Sequence, residues 1–188
     1  AAQYDYTNFR GLVILVQFND KKFSRDDYSD IITDMINKPG YDGYTDTKGR
    51  KQLFTGSVHD YFSDNSAGLF QPEFDVCGPY TIDYSQYDAN GTEKAANLVL
   101  AAVDSADVDI NFADYDRDKD GVVDMIFFVF AGNGSNYQEN DQRLIWPHRS
   151  FVYDPKTFNW VRRDKVRLGD YACSTELLGY ATQPNTVQ

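Results

Sequence analysis

The stretch Asp116-Arg-Asp118-Lys-Asp120-Gly121-Val122-Val-Asp124 runs without a break into Met125-Ile-Phe-Phe-Val-Phe130. An acidic turn joined to a continuous apolar run leaves few folds open. Carboxylates at alternate positions repel one another unless a cation neutralises them. The run behind them has strand length and no polar face, which predicts a central strand buried on both sides. With Asp116 as position 1, Asp118 stands at 3, Asp120 at 5, Gly121 at the sharp turn at 6, the Val122 carbonyl at 7 and Asp124 at 9. A hard cation gathers its oxygens in this register, so calcium is expected at Asp116, Asp118, Asp120, Val122 and Asp124. Position 12 is Phe127 and not a bidentate Glu, so the turn feeds a strand and is no helix–loop–helix site. The plainer alternative is a solvated acidic turn, since Asp and Gly are common turn formers.

A second apolar run, Leu12-Val-Ile-Leu-Val-Gln-Phe18, predicts another central strand. Ser24, with Asp27 three residues on, predicts a helix through about Asn37 that buries Tyr28, Ile31, Ile32, Met35 and Ile36. Residues 41–51 read as a surface loop, and Ser57 with Asp60 opens a short helix. Leu69–Val76 reads as a strand that Pro72 confines to an edge or a bulge, with a turn at Cys77-Gly-Pro-Tyr80. A helix follows from Lys94 to about Ser105, then the acidic turn and its strand. The order strand, helix, helix, strand, helix, strand marks a mixed α/β (α+β) domain, a mixed twisted sheet with flanking helices. Gly132 and Gly134 form a glycine-rich loop at a strand's carboxyl end, where open sheets place ligands. Further strands are expected at 151–153, 158–163 and 171–177, with a turn at Asp154-Pro-Lys-Thr157.

At 188 residues, 41% hydrophobic and 15% aromatic, the chain builds one core, and residues 1–188 read as a single domain. The net charge of −11 argues against nucleic acid, whose phosphates demand a basic footprint. No apolar run reaches membrane-spanning length. Loops rich in Asp, Asn, Tyr and Gly, with a calcium turn, suit a secreted or cell-surface protein. Cys77 and Cys173 are either one disulfide of an oxidising compartment or two small buried side chains.

Catalytic groups are sparse. His59 and His148 are the two histidines, and no His-Glu-x-x-His pair accompanies them. A catalytic zinc wants three protein ligands, so no zinc site is legible here. His59 reads as a partly buried helix residue. His148, behind Trp146-Pro147, is better placed to line a cleft or to bond backbone. No serine stands in a Gly-x-Ser-x-Gly turn. Cys173 with His148 can be written as a thiol pair, but Cys173 reads better as a small strand residue. The aromatics Tyr41, Tyr44, Trp146 and Trp160 sit in polar loops, where they serve either a sugar-binding surface or a core.

Six stretches together resemble the immune inhibitor A family of secreted zinc metallopeptidases. They are Leu12–Phe18; Ser57-Val-His-Asp-Tyr-Phe62 with Ser66-Ala-Gly-Leu-Phe70; Asp114-Tyr-Asp116 through Gly121-Val-Val-Asp-Met125; Ala131-Gly132; Ile145-Trp-Pro-His148; and Tyr171-Ala-Cys-Ser-Thr-Glu176. Each alone is weak; their common order between residues 11 and 178 is specific. The resemblance implies the amino-terminal part of a catalytic domain, a metzincin- or zincin-like subdomain that ends before the zinc-binding helix. It implies scaffold, calcium site and cleft walls, with Trp146, His148, Tyr171 and Glu176 as wall candidates and no zinc ligand among them. It further implies peptide-bond hydrolysis of protein or peptide substrates by zinc-activated water in the full-length protein. This chain is expected to be inactive alone and to pair with the missing carboxy-terminal part of its own domain. A cleaved product or a degenerate homologue are the other readings. The rival function is a calcium-stabilised secreted module that binds glycan or protein.

Overall fold

The apolar run after Phe9 forms strand β1 (Arg10–Phe18), in which Leu12 to Val16 are all buried. The structure is a computed structural model that describes residues 9–136 and 141–177. Helix α1 (Tyr28–Asn37) buries Tyr28, Ile31, Ile32, Met35 and Ile36, one stripe at helical spacing. Its N-cap position falls to Asp27, which makes no capping bond. The expected cap, Ser24, bonds Glu176 instead.

The expected loop after α1 contains a hairpin, β2 (Gly43–Thr45) and β3 (Lys51–Leu53). Asp46 supplies its turn, accepting the N–H groups of Lys48 and Arg50 at 2.9 Å and Arg50 Nε at 2.8 Å. Helix α2 (Val58–Asn65) begins as the sequence predicts, with Ser57 and Asp60 in a reciprocal capping box. Strand β4 (Glu73–Ile82) runs on through Cys77-Gly-Pro-Tyr80, where a turn was expected. Pro79 has no N–H to give, but β4 is an edge strand and the ladder takes the proline up as a register shift opposite Ile14 and Val16.

Helix α3 (Thr92–Ala106) and a short 3-10 turn (Phe112–Tyr115) lead into the acidic turn and strand β5 (Ile126–Asn133). The expected glycine-rich loop is partly strand, since β5 extends through Gly132. After it come β6 (His148–Phe151), the short pair β7 (Arg162–Arg163) and β8 (Val166–Arg167), and β9 (Asp170–Leu177).

Five strands make the central sheet, in the order β4-β1-β5-β9-β6. The first four are parallel and β6 runs antiparallel to β9 at the edge, which makes the domain mixed α/β. Helix α3 covers one face, with Leu12, Ile14, Phe128 and Phe130 in its core. Helix α1 covers the other, with Val13, Leu15 and Val129. Alternate residues of β1 and β5 thus feed two cores, which is why neither run has a polar side. Phe128 and Phe130 are fully buried, and each contributes roughly 2–3 kcal/mol by leaving water. Cys77 on β4 and Cys173 on β9 are both free thiols, with two strands between them. Among the described residues no helix is long and apolar enough to cross a membrane.

Candidate functional site

The 3-10 turn buries Phe112 and Tyr115, anchoring the acidic turn that follows to the α3 core. Asp116, Asp118 and Asp120 then converge, each offering a carboxylate oxygen within 4.8 Å of the others. Backbone donors hold them there. Gly121 N–H donates to Asp116 Oδ2 at 3.0 Å, Asp120 N–H to Asp118 Oδ1 at 3.2 Å, and Val122 N–H to Asp120 Oδ1 at 2.8 Å. Gly121 turns the chain at φ +86°, a conformation that glycine adopts without strain.

Asp116 Oδ1 is buried and accepts no hydrogen bond. An anionic oxygen shut away from water with no donor is unfavourable by several kcal/mol, on the order of the desolvation cost of a charged group. A cation between the three carboxylates would relieve it, and an all-oxygen donor set suits a hard one. Asp124 stands apart from the three: its Oδ2 accepts Arg117 N–H at 2.9 Å. Asp114 is held by the Asn111 side chain at 2.9 Å.

Trp146, His148 and Tyr171 come together on the α3 side of the sheet. His148 Nδ1 lies 2.6 Å from the Trp146 carbonyl, which can only accept, so Nδ1 carries the proton. Nε2 then accepts from the Tyr171 hydroxyl at 2.7 Å. Cys173 Sγ lies 3.3 Å from the same Nδ1. A nitrogen that already holds a proton cannot take the thiol's, and burial pushes the Cys173 thiol up to about 12. The pair is therefore no nucleophile and base. His59 likewise sets Nδ1 against a carbonyl, that of Pro72 at 2.9 Å. Among the described residues the acidic turn is the one convergence of three or more His, Cys, Asp or Glu. They build no zinc site of three or four ligands.

Glu176, the fourth expected wall residue, lies on the opposite side of β9 and is fully buried. Its Oε1 accepts Ser24 N–H at 2.6 Å and the Ser24 hydroxyl, and its Oε2 accepts Gly132 N–H at 3.0 Å. Tyr171, at 3% exposure, is interior as well. Neither walls an open cleft. The Glu176 contacts tie the carboxyl ends of β1, β5 and β9 together. Here the connection leaving β1 goes to β4 and the one leaving β5 goes to β9, the kind of switch point where open sheets bind ligands. The space above Gly132 (φ +85°) is filled by the Lys21 side chain, 2.9 Å from where a Cβ would stand.

Two features escaped the sequence. One is Ser24 as the partner of Glu176, a contact across 152 residues. The other is a cavity of about 770 Å³ between α1, α2 and the sheet, lined by Phe9, Met35, Phe62, Phe70, Phe127 and Ala172 among others. Helix α2 borders it: Val58, Tyr61 and Phe62 line the space and none of them is fully buried. Of the four loop aromatics, Tyr41 and Tyr44 pack on Phe54 at 5.5 and 6.1 Å, while Trp146 and Trp160 are exposed. Compared with known proteins, the chain matches no family model and no curated protein.

Proposed function

We propose that residues 1–188 are the amino-terminal part of the catalytic domain of a secreted zinc metallopeptidase of the immune inhibitor A type. The observation that carries this reading is the set of six ordered stretches, Leu12–Phe18 through Tyr171–Glu176. Two structural features support it: a mixed sheet with helices on both faces, and three aspartates converging immediately before β5. Under this reading the subdomain is zincin-like. Calcium binds Asp116, Asp118, Asp120 and the Val122 carbonyl, with Asp124 bracing the turn through Arg117. The ion neutralises the carboxylates and stiffens the entry to the central strand.

The reaction class is metal-assisted hydrolysis of peptide bonds. The 188 residues contain no His-Glu-x-x-His, so zinc, its ligands and the catalytic base belong to a further part of the same domain, which is this segment's first partner. Protein or peptide substrates and a place outside the cell or on its surface follow from the same reading. The test reads the encoding gene past the codon for Gln188 and assays the longest product against a protein substrate. A His-Glu-x-x-His helix and chelator-sensitive hydrolysis are expected, with none from residues 1–188 alone. A stop codon at that point, with no companion segment, would end the peptidase reading. The exposed Trp146 and Trp160 support a second reading, a calcium-stabilised secreted binding module. That reading predicts ligand binding by residues 1–188 in the absence of any hydrolysis.

A further inference from the structure

Between β6 and β9 the chain makes an excursion with two unlike sides. Val152, Val161, Val166 and Leu168 turn inward and join the α3 core. The alternate positions carry aromatics that turn outward, Phe151 at 48% and Trp160 at 49% exposure, and Phe158 stands at the turn with 77%. A bridge between Tyr153 and Trp160 sets them side by side. Phe151 meets Trp160 edge-on at 5.3 Å, and Phe158 stacks on Tyr153 at 6.1 Å. Phe158 has φ +58°, a left-handed conformation that glycine or asparagine adopts far more easily. A bulky apolar residue held there, with its ring mostly in water, gives the fold little beyond its stacking on Tyr153.

Cations occupy the same face. Arg162 follows Trp160 by two residues and pairs with Arg167 across β7 and β8. The Arg167 guanidinium stands 4.8 Å over the Trp160 ring. Lys156 and Lys165 are exposed in the two flanking turns. From 149 to 167 the sequence has six Lys or Arg against two Asp; Arg149 and Arg163 pair with Asp170 and with Asp104 and Asp107, which leaves Lys156, Arg162, Lys165 and Arg167 as the cations of this face in a chain of net −11.

Exposed Trp, Phe and Arg with half-buried Tyr153 on one face match the composition of interface centres and not of average surface. The local positive charge selects an acidic partner and repels basic ones. The ring geometry selects the kind of partner. Trp160 has a guanidinium over its ring and Phe151 standing perpendicular beside it. The rings therefore do not form the flat open row that sugars or bases stack upon. Their relief of knobs and clefts suits polypeptide side chains. We infer that the outward face of residues 148–168 is a docking surface for an acidic polypeptide segment bearing apolar side chains. Phe151, Phe158 and Trp160 take the apolar groups, and Lys156, Arg162 and Lys165 take the carboxylates. This surface is independent of the peptidase reading and holds for a binding module equally.

The test uses the 188-residue chain and a fluorescein-labelled random copolymer of glutamate and tyrosine, read by anisotropy. Polyglutamate and sulfated dextran serve as comparisons. The copolymer should bind about tenfold more tightly than polyglutamate, and binding should weaken as salt is raised. Phe158→Ala removes an exposed ring together with its stacking on Tyr153, and a double reversal, Arg162→Glu with Lys165→Glu, reverses two exposed charges and gives up the Arg162 bond to the Lys165 carbonyl. Each should weaken copolymer binding about tenfold with circular dichroism unchanged. The inference is overturned if the copolymer binds no better than polyglutamate, or if both variants bind it as the parent does. Tighter binding of sulfated dextran than of copolymer would also overturn it, in favour of an anionic glycan.

Discussion

Glu176 brings a carboxylate into the interior, where it meets Ser24 N–H, the Ser24 hydroxyl and Gly132 N–H. A buried charge is tolerated when donors replace its water, and removing it orphans those donors. Glu176→Leu should therefore cost about 3–5 kcal/mol in urea denaturation, and Glu176→Gln, which keeps an acceptor, clearly less. Equal losses from the two would show that volume and not hydrogen bonding matters at this site. The thiols give a cheaper check. Cys77 is half-buried, whereas Cys173 is 4% exposed with its thiol pushed up to about 12 by burial. A thiol reagent at mildly alkaline pH should label Cys77 first, with Cys173 labelled only on unfolding; mass spectrometry of the peptides reads the order. The residue scale is also where the sequence misleads. Tyr171 and Glu176 look like neighbours in one wall, but they differ by an odd number of positions, and strand parity sends them to opposite faces. That separation was legible, whereas the Ser24 partner was not, because no local rule reports a contact across 152 residues.

Elements whose causes are local were read well. The stripe of α1, the capping box of α2 and the two-sided strands β1 and β5 all follow from spacing a few residues long. The hairpin of β2 and β3 was missed because one side chain makes it. Burial alone would raise the Asp46 carboxyl, but the Arg50 N–H and guanidinium, with Lys48 N–H and Gln52, hold it down at about 2. A depressed folded value adds stability that is fully present above the ordinary 3.8 and is lost as pH falls through about 2. The protection of Lys48 and Arg50 amides, relative to their intrinsic exchange rates, should thus hold at mildly acidic pH and fall only between roughly 4 and 2. Loss of protection near neutrality would contradict the Asp46 account. The acidic turn makes its own prediction. Calcium should raise the melting temperature, by the equivalent of about 2.7 kcal/mol at a hundredfold excess over its dissociation constant. Asp120→Gly or Asp118→Gly should abolish the shift and speed exchange in β5. A calcium response that survives either change would place the ion elsewhere.

The molecule as a whole covers its sheet unevenly. On the α3 side, the helix and the β6–β9 excursion together close the core over β1, β5 and β9. On the α1 side the helix serves β1, β4 and Val129 of β5, while Phe127 of β5 and Ala172 of β9 border the 770 Å³ cavity beneath α2. The sequence declared that both faces of β5 want burial, but it held no sign of which face would be left open. That outcome depends on where α1 and α2 land, and their own amphipathic patterns read as ordinary surface helices. A cavity of this size and lining is accessible to an apolar dye without unfolding. Nile red, which is uncharged and indifferent to the net charge of −11, should therefore brighten in the native protein at a stoichiometry near one. Ala172→Trp projects an indole into the cavity from the sheet. Because it fills existing space, it should suppress most of the dye signal while circular dichroism and melting temperature hold or rise. If dye binding survives that substitution with the fold intact, the dye sits on the exposed aromatics of the 148–168 face instead. Phe158→Ala would then abolish what Ala172→Trp did not.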